Sequence, residues 1–257
     1  MIHLLLKLPI LKRLIPSLAI RVLKLLKKNR GYFKIKNLKM FLDFLDPIDR
    51  EIILFQEFEK LEIDYLIKQM KKINPHYFID IGSNCGYYSI KIANEFPNIQ
   101  IFSFEPNQEA YLKFSKTLKA NTLLAKKINS YNFGLSNSNT KLKIRSLVKH
   151  GYVQTGGSSI TRNYEKGSFQ ESFENFKVAD EFIKIKHSLI ILKIDVEGHE
   201  FEVLKGLQEI TKFNKCLIQI EIFEENFSRV NNFLSSLGFE ITHEIKKRYN
   251  YFYKNFI

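Results

Sequence analysis

Apolar positions change their period along this chain. From residue 74 onward, short runs rich in β-branched and aromatic residues recur at 76–81, 99–104, 128–133, 189–194 and 216–222. They are apolar at consecutive rather than alternate positions, the pattern of strands covered on both faces. Stretches with helical spacing separate the first three runs (88–95 and 107–125), and 199–211 separates the last two. This alternation predicts an α/β fold around a parallel sheet. The end of the chain differs. A helix over 226–237 precedes two strands, 239–245 and 249–255, joined by a turn near Lys246 to Arg248.

Upstream, residues 32–46 alternate weakly and predict a strand or hairpin. Residues 47–73 carry Leu54, Phe58, Leu61 and Tyr65 at helical spacing, then Leu66, Met70 and Ile73 one position round. One helix is expected there, ended by Asn74-Pro75. Residues 136–180 break the rhythm with polar residues and four glycines, Gly151, Gly156, Gly157 and Gly167. Connections in α/β units usually span about 2–6 residues, so an excursion this long predicts a lid or a substrate-binding hairpin. The chain thus divides into a tail (1–30), an accessory hairpin and helix (31–73) and a main domain (74–257).

Charge changes this picture only at one end. The net charge is +13, yet residues 1–40 hold eleven Lys/Arg and no Asp/Glu. The rest carries 29 basic against 27 acidic groups, so the main domain is almost neutral. A whole-protein argument for nucleic-acid binding therefore loses most of its force. Within the tail, Arg21, Lys24, Lys27 and Lys28 gather on one arc of a helix over 17–29. Leu18, Val22, Leu23, Leu25 and Leu26 take the other, with Ile20 the exception. An anionic membrane surface suits that pattern. Docking on its own domain or a protein partner is the other reading. No apolar run reaches the roughly 18 residues of a spanning helix, and Lys7, Lys12 and Arg13 interrupt any signal-peptide core. Two distant cysteines, Cys85 and Cys216, form no metal or disulfide pattern. The expected location is cytoplasmic, with peripheral attachment at the inner face of a membrane if the tail binds lipid.

The first candidate chemistry lies in FIDIGSNCGYYS, residues 78–89: strand, Gly-rich turn, helix. Gly82 and Gly86 permit a tight turn and close approach of a ligand. Asp80 ends the strand, facing the crevice where open α/β sheets bind ligands. Glu105, in FSFEPN at the end of the next strand, stands where an acid accepts hydrogen bonds from both ribose hydroxyls. The spacing is Gly-x-x-x-Gly rather than the dinucleotide pattern, and no P-loop is present. S-adenosylmethionine (SAM) has a ribose but no phosphate, and its positive groups suit acids such as Asp80.

In order along the chain, IDIGSNCGYYS, FSFEPN, NFGLSN, GGSSI, LKIDVEGHEFEVLKG and IQIEI resemble the FkbM family of SAM-dependent methyltransferases. The resemblance spans roughly residues 30–255. It is most specific in the first glycine motif and in KIDVEGHE, and QEFE at 56–59 also fits. Ser83-Asn84, Cys85 and Gly134-Leu135-Ser136 are mild departures from the usual family residues. The resemblance implies a class I, Rossmann-like fold with a seven-stranded sheet whose last strand is antiparallel. It implies SAM contacts from Asp80, Gly82, Asn84, Gly86, Glu105, Pro106, Asn107 and Gly134. It also implies O-methylation, of a sugar hydroxyl in a glycan or glycolipid.

Within KIDVEGHE, at a strand end, Asp195 and His199 are candidates for the base that takes the hydroxyl proton. Glu197 is a candidate for holding an acceptor hydroxyl. Glu200 reads as first-turn helix chemistry. A lesser reading lets Asp195, Glu197 and Glu221 offer oxygens to Mg²⁺, although no metal is the main expectation. Ser158 and Ser159 match the family's serine motif and are placed near the acceptor. His76, His150, His187 and His243 are expected to be structural. The alternative function is an RNA-modifying methyltransferase using the tail as a nucleic-acid arm.

Overall fold

The computed structural model describes residues 29–149, 152–160 and 168–257. Residues 1–28, His150, Gly151 and Gly167 lie outside the described residues, and with them the amphipathic tail on which the membrane and nucleic-acid readings rest.

The chain enters through a hairpin of β1 (Arg30–Ile35) and β2 (Leu38–Asp43), as the weak alternation predicted. Ile35, Leu38, Met40 and Leu42 are buried against the main domain. The single helix expected over 47–73 is two: Pro47–Phe55 and Lys60–Ile73. Asp46 caps the first by accepting the Ile48 amide, with Pro47 at the first helical position, where proline's fixed φ and missing N–H do no harm. Gln56 ends it in a left-handed conformation, φ 58°, and Glu59 opens the next at φ 45°. The break absorbs the one-position drift in the apolar stripe. Leu66 and Met70 become fully buried, while Leu61 points to solvent.

The main sheet begins with β3 (Tyr77–Ile81), β4 (Gln100–Phe104) and β5 (Ile128–Tyr131). A second sheet then interrupts: β6 (Gly134–Ser136), β7 (Thr140–Lys149), β8 (Tyr152–Val153) and β9 (Ser168–Val178), in order β6-β9-β7-β8. The main sheet resumes with β10 (Leu189–Ile194), β11 (Lys215–Glu221), β12 (Glu240–Ile245) and β13 (Asn250–Lys254).

Its strand order is β12-β13-β11-β10-β3-β4-β5. β5, β4, β3, β10 and β11 run parallel, and β13 is antiparallel to both neighbours, β11 and β12. This is the α/β, seven-stranded class I architecture, with the last strand reversed. Successive side chains of β3 enter opposite layers: Phe78 joins the core under helices Lys60–Ile73 and Tyr87–Glu95, while Ile79 and Ile81 join the core under the C-terminal helices. Both faces are covered, which is why these strands lack alternation. No helix among the described residues is long and apolar enough to cross a membrane.

The excursion is thus a small sheet of its own rather than a single hairpin. β7 alternates Leu142, Ile144 and Ser146 inward with Lys141 and Lys143 outward. The sheet stands over the carboxyl ends of β3, β4 and β10, where the parallel strands open a crevice.

Candidate active site

Three strand ends meet in this crevice. After β3 the chain turns through Gly82 (φ 81°), Asn84 (φ 48°) and Gly86 (φ 80°). The amides of Gly82 and Ser83 both donate to the Phe104 carbonyl at 3.0 Å, tying the turn to β4. A Cβ on Gly82 would fall 1.8 Å from the Asp195 carbonyl oxygen, and one on Gly86 would fall 2.0 Å from the Phe114 ring. Both glycines are therefore required by φ and by space.

Asp80 departs from expectation. It does not line the cavity but lies fully buried beneath the turn, where Oδ2 accepts the Ser89 hydroxyl at 2.6 Å. The pleat decides this: Ile81 faces the crevice and Asp80 the opposite layer. Burial raises its carboxyl above the usual range, and Lys193 opposes that.

Glu105 does line the cavity. Oε2 accepts the Asn84 amide and Oε1 the Asn107 amide, each at 2.8 Å. Two backbone donors hold the carboxylate flat in the cavity wall, and each oxygen keeps a lone pair for a ligand hydroxyl. Burial pushes its pKa up to about 7 against those two hydrogen bonds. Asn107 caps helix Gln108–Ala120, accepting the Glu109 and Ala110 amides. Pro106, Asn107 and Gly134 share the wall, and a Cβ on Gly134 would strike the Phe176 ring at 2.2 Å.

The opposite wall is acidic. Asp195, Glu197 and Glu221 each offer an oxygen within 4.8 Å of the other two. Burial, and then the Asp195 charge, push the Glu221 carboxyl well above the usual carboxylate range. Lys193 Nζ lies 3.1 Å from Asp195 Oδ2 and 4.9 Å from the Tyr88 ring centroid. Burial alone would lower this ammonium; Asp195, Asp80 and Glu59 outweigh it and raise it. Tyr88 donates to Glu59 at 2.8 Å and accepts from Gln219 at 3.1 Å. Burial and then Asp195 push Glu59 up to about 7.

His199 reaches the cavity wall, yet its ring is engaged. Nε2 shares a 2.9 Å hydrogen bond with Ser136 Oγ, and Nδ1 lies 3.8 Å from Glu202. Burial lowers its pKa, with Glu202 opposing. Ser158 lines the cavity, bonded to Ser146 at 2.7 Å, whereas buried Ser159 donates to the Glu197 carbonyl and holds that loop. Glu200 accepts the Gly198 amide at 2.7 Å, a loop-closing role. His76 accepts the Leu189 amide and His243 stacks on Tyr65, both structural.

A glycine turn, a ribose-type acid on the neighbouring strand and an acid-rich wall across the sheet make a cavity of ≈ 880 Å³, counting its mouth. A family model described as "Methyltransferase FkbM domain" matches residues 80–241. The chain belongs to the FkbM methyltransferase family. It is a SAM-dependent methyltransferase, and the cavity's donor set fits that ligand.

This FkbM methyltransferase is 22% identical over 234 residues to methyltransferase sdnD of Sordaria araneosa, covering 77% of this chain and 90% of that one. It is 26% identical over 146 residues to hexuronic acid methyltransferase AglP of Haloferax volcanii, covering 55% and 54%. The crystal structure of methyltransferase FkbM from Methylobacillus flagellatus superposes with a TM-score of 0.49 at 16% identity, covering 70% of this chain and 43% of that one. The chain thus spans less than half of that solved chain and about half of the Haloferax protein.

Three contributors to the FkbM site escaped the sequence reading: Lys193, Ile48 and Thr155. Lys193 had a signal, since a lysine inside the run Leu189 to Ile194 interrupts five apolar residues. Ile48 and Thr155 come from the accessory helix and the excursion, and only tertiary packing brings them here.

Proposed function

We propose that this FkbM methyltransferase methylates a hydroxyl of a sugar, within a glycan or glycolipid. The observation that carries the reading is the pair Asp195 and Glu197 facing the ribose-type acid Glu105 across one cavity, with Glu221 beside them. Bound SAM supplies an electrophilic methyl group. Glu105 accepts the ribose hydroxyls, while Gly82, Asn84, Gly86, Pro106, Asn107 and Gly134 shape the wall around it. Asp195 is the base, receiving the acceptor's hydroxyl proton. Glu221 and Lys193 orient Asp195, and Glu197 binds a second acceptor hydroxyl. His199 holds the loop through Ser136 rather than serving as the base. A vicinal diol, as sugars present, fits two adjacent carboxylates, and the likeness to a hexuronic acid methyltransferase supports the same class.

The test is transfer of labelled methyl from SAM to uronate-bearing and neutral glycans. Labelled sugar hydroxyls support the reading; label appearing only on RNA overturns it. The same three carboxylates could instead hold Mg²⁺, as hard cations take oxygen ligands. Turnover surviving thorough EDTA treatment removes that version, and activity restored by Mg²⁺ establishes it. We further propose that the tail holds the enzyme at an anionic membrane, where a lipid-linked acceptor would lie.

A further inference from the structure

Asp46 lies outside the matched residues 80–241, yet two segments that wall the cavity meet at its carboxylate together with Lys113. Oδ1 accepts the Ile48 amide at 3.0 Å and caps helix Pro47–Phe55. Oδ2 accepts the Thr155 amide at 3.1 Å, the Thr155 hydroxyl at 2.7 Å and the Lys113 ammonium at 3.3 Å. Lys113 comes from helix Gln108–Ala120 and also donates to Asp49 at 2.7 Å. Asp46, Asp49, Lys113 and Thr155 are all buried. Burial alone would raise the Asp46 carboxyl; Lys113 and the Thr155 donors outweigh it and lower it.

Thr155 has one hydroxyl proton and a second oxygen neighbour, Asn84 Oδ1, at 3.1 Å. The shorter bond assigns the proton to Asp46, and the Thr155 oxygen then accepts from Lys113 at 3.2 Å. Asn84 is the turn residue whose amide binds Glu105. On the far side of Thr155, Ile48 Cδ1 lies 2.0 Å from where a Cβ on Gly156 would sit, so the excursion's backbone rests directly on the accessory helix. Ile48, Asn84, Thr155, Gly156 and Ser158 all line the cavity. Four buried donors converge on one anion to join elements distant in sequence. Such bonds are strong because the anion is desolvated, and losing a partner leaves a buried polar group unmet.

We infer that Asp46 and Thr155 are positioning residues for SAM: their hydrogen bonds hold segment 154–160 on helix Pro47–Phe55 as one wall of the cofactor cavity. The inference rests on the reading that this cavity takes SAM. The experiment measures SAM and S-adenosylhomocysteine affinity by calorimetry in the wild type, Thr155→Val, Thr155→Ser and Asp46→Asn, with thermal denaturation of each. Thr155→Val keeps the shape and loses the hydroxyl, and it should weaken both ligands about tenfold or more while its melting temperature falls by only a few degrees. Thr155→Ser restores the hydroxyl and should bind within about threefold of the wild type. Asp46→Asn keeps the cap and, where Thr155→Val fails to fold, carries the same expectation. Full-strength binding in Thr155→Val or, failing that, in Asp46→Asn overturns the inference, as does a Thr155→Ser variant as weak as Thr155→Val. A folded wild type that binds neither ligand overturns the cavity reading itself, and this inference with it.

Discussion

Two carboxylates in one cavity do opposite things because their surroundings differ. Glu105 is held by two backbone amides but buried, and its pKa is pushed up to about 7. It serves a ribose only as an acceptor, so protonation removes the function. SAM affinity is therefore expected to rise from pH 5.5 to 8 as Glu105 ionises, and to level off above. Calorimetry across that range checks the sign. Glu105→Gln should bind weakly and flatten the profile, even though Glu59 and Glu200 have similar values. Asp195 has the Lys193 ammonium 3.1 Å away on one side and the Glu221 carboxyl on the other. Asp195→Asn should lower kcat by about 10²–10⁴ with little change in SAM affinity. His199→Ala should keep kcat within about tenfold and instead lower stability by about 1–3 kcal/mol, because Ser136 loses its buried partner. A collapse of kcat in His199→Ala with the fold intact would return the base role to the histidine.

At the scale of elements, the glycine turn shows how identical backbone angles carry different costs. Gly82 and Gly238 both sit at φ 81°, but a Cβ on Gly238 meets nothing within 4 Å, whereas one on Gly82 meets the Asp195 backbone at 1.8 Å. Gly238→Ala should cost only the left-handed penalty, about 1–2 kcal/mol. Gly82→Ala must also push β3 and β10 apart at their ends, so it should cost more and abolish SAM binding. Urea denaturation with calorimetry separates the two cases. The same elements show what was legible from sequence. The central main-sheet strands are legible within one or two residues, because burial on both faces writes a continuous apolar run. The break at 56–59 was missed because its left-handed residues are Gln56 and Glu59, not glycines. The excursion is legible as a lid or a substrate-binding hairpin but not as a sheet, because its glycines mask the period-two alternation of β7. Asp80 was correctly placed at a strand end but on the wrong face, a one-residue matter that sequence spacing alone does not decide.

At the scale of the whole molecule, charge and architecture separate. Residues 1–28 hold seven Lys/Arg and no acid, more than half of the net charge of +13. Near an anionic bilayer each such group contributes about 1 kcal/mol, within a Debye length of about 8 Å at physiological salt. Seven such groups would together supply about 7 kcal/mol, short of the roughly 8 kcal/mol of micromolar binding, so the proposed membrane contact also needs the tail's leucines. Among the described residues, by contrast, the cavity is lined only by residues beyond 45. Deleting residues 1–28 should therefore abolish sedimentation with phosphatidylserine vesicles while leaving SAM affinity unchanged. Binding of the full chain should fall steeply as salt rises from 50 to 500 mM and be weak on neutral phosphatidylcholine. Unchanged sedimentation after the deletion would remove the membrane role. A deletion that also lost SAM binding would instead show that the tail docks on the domain and supports the cavity.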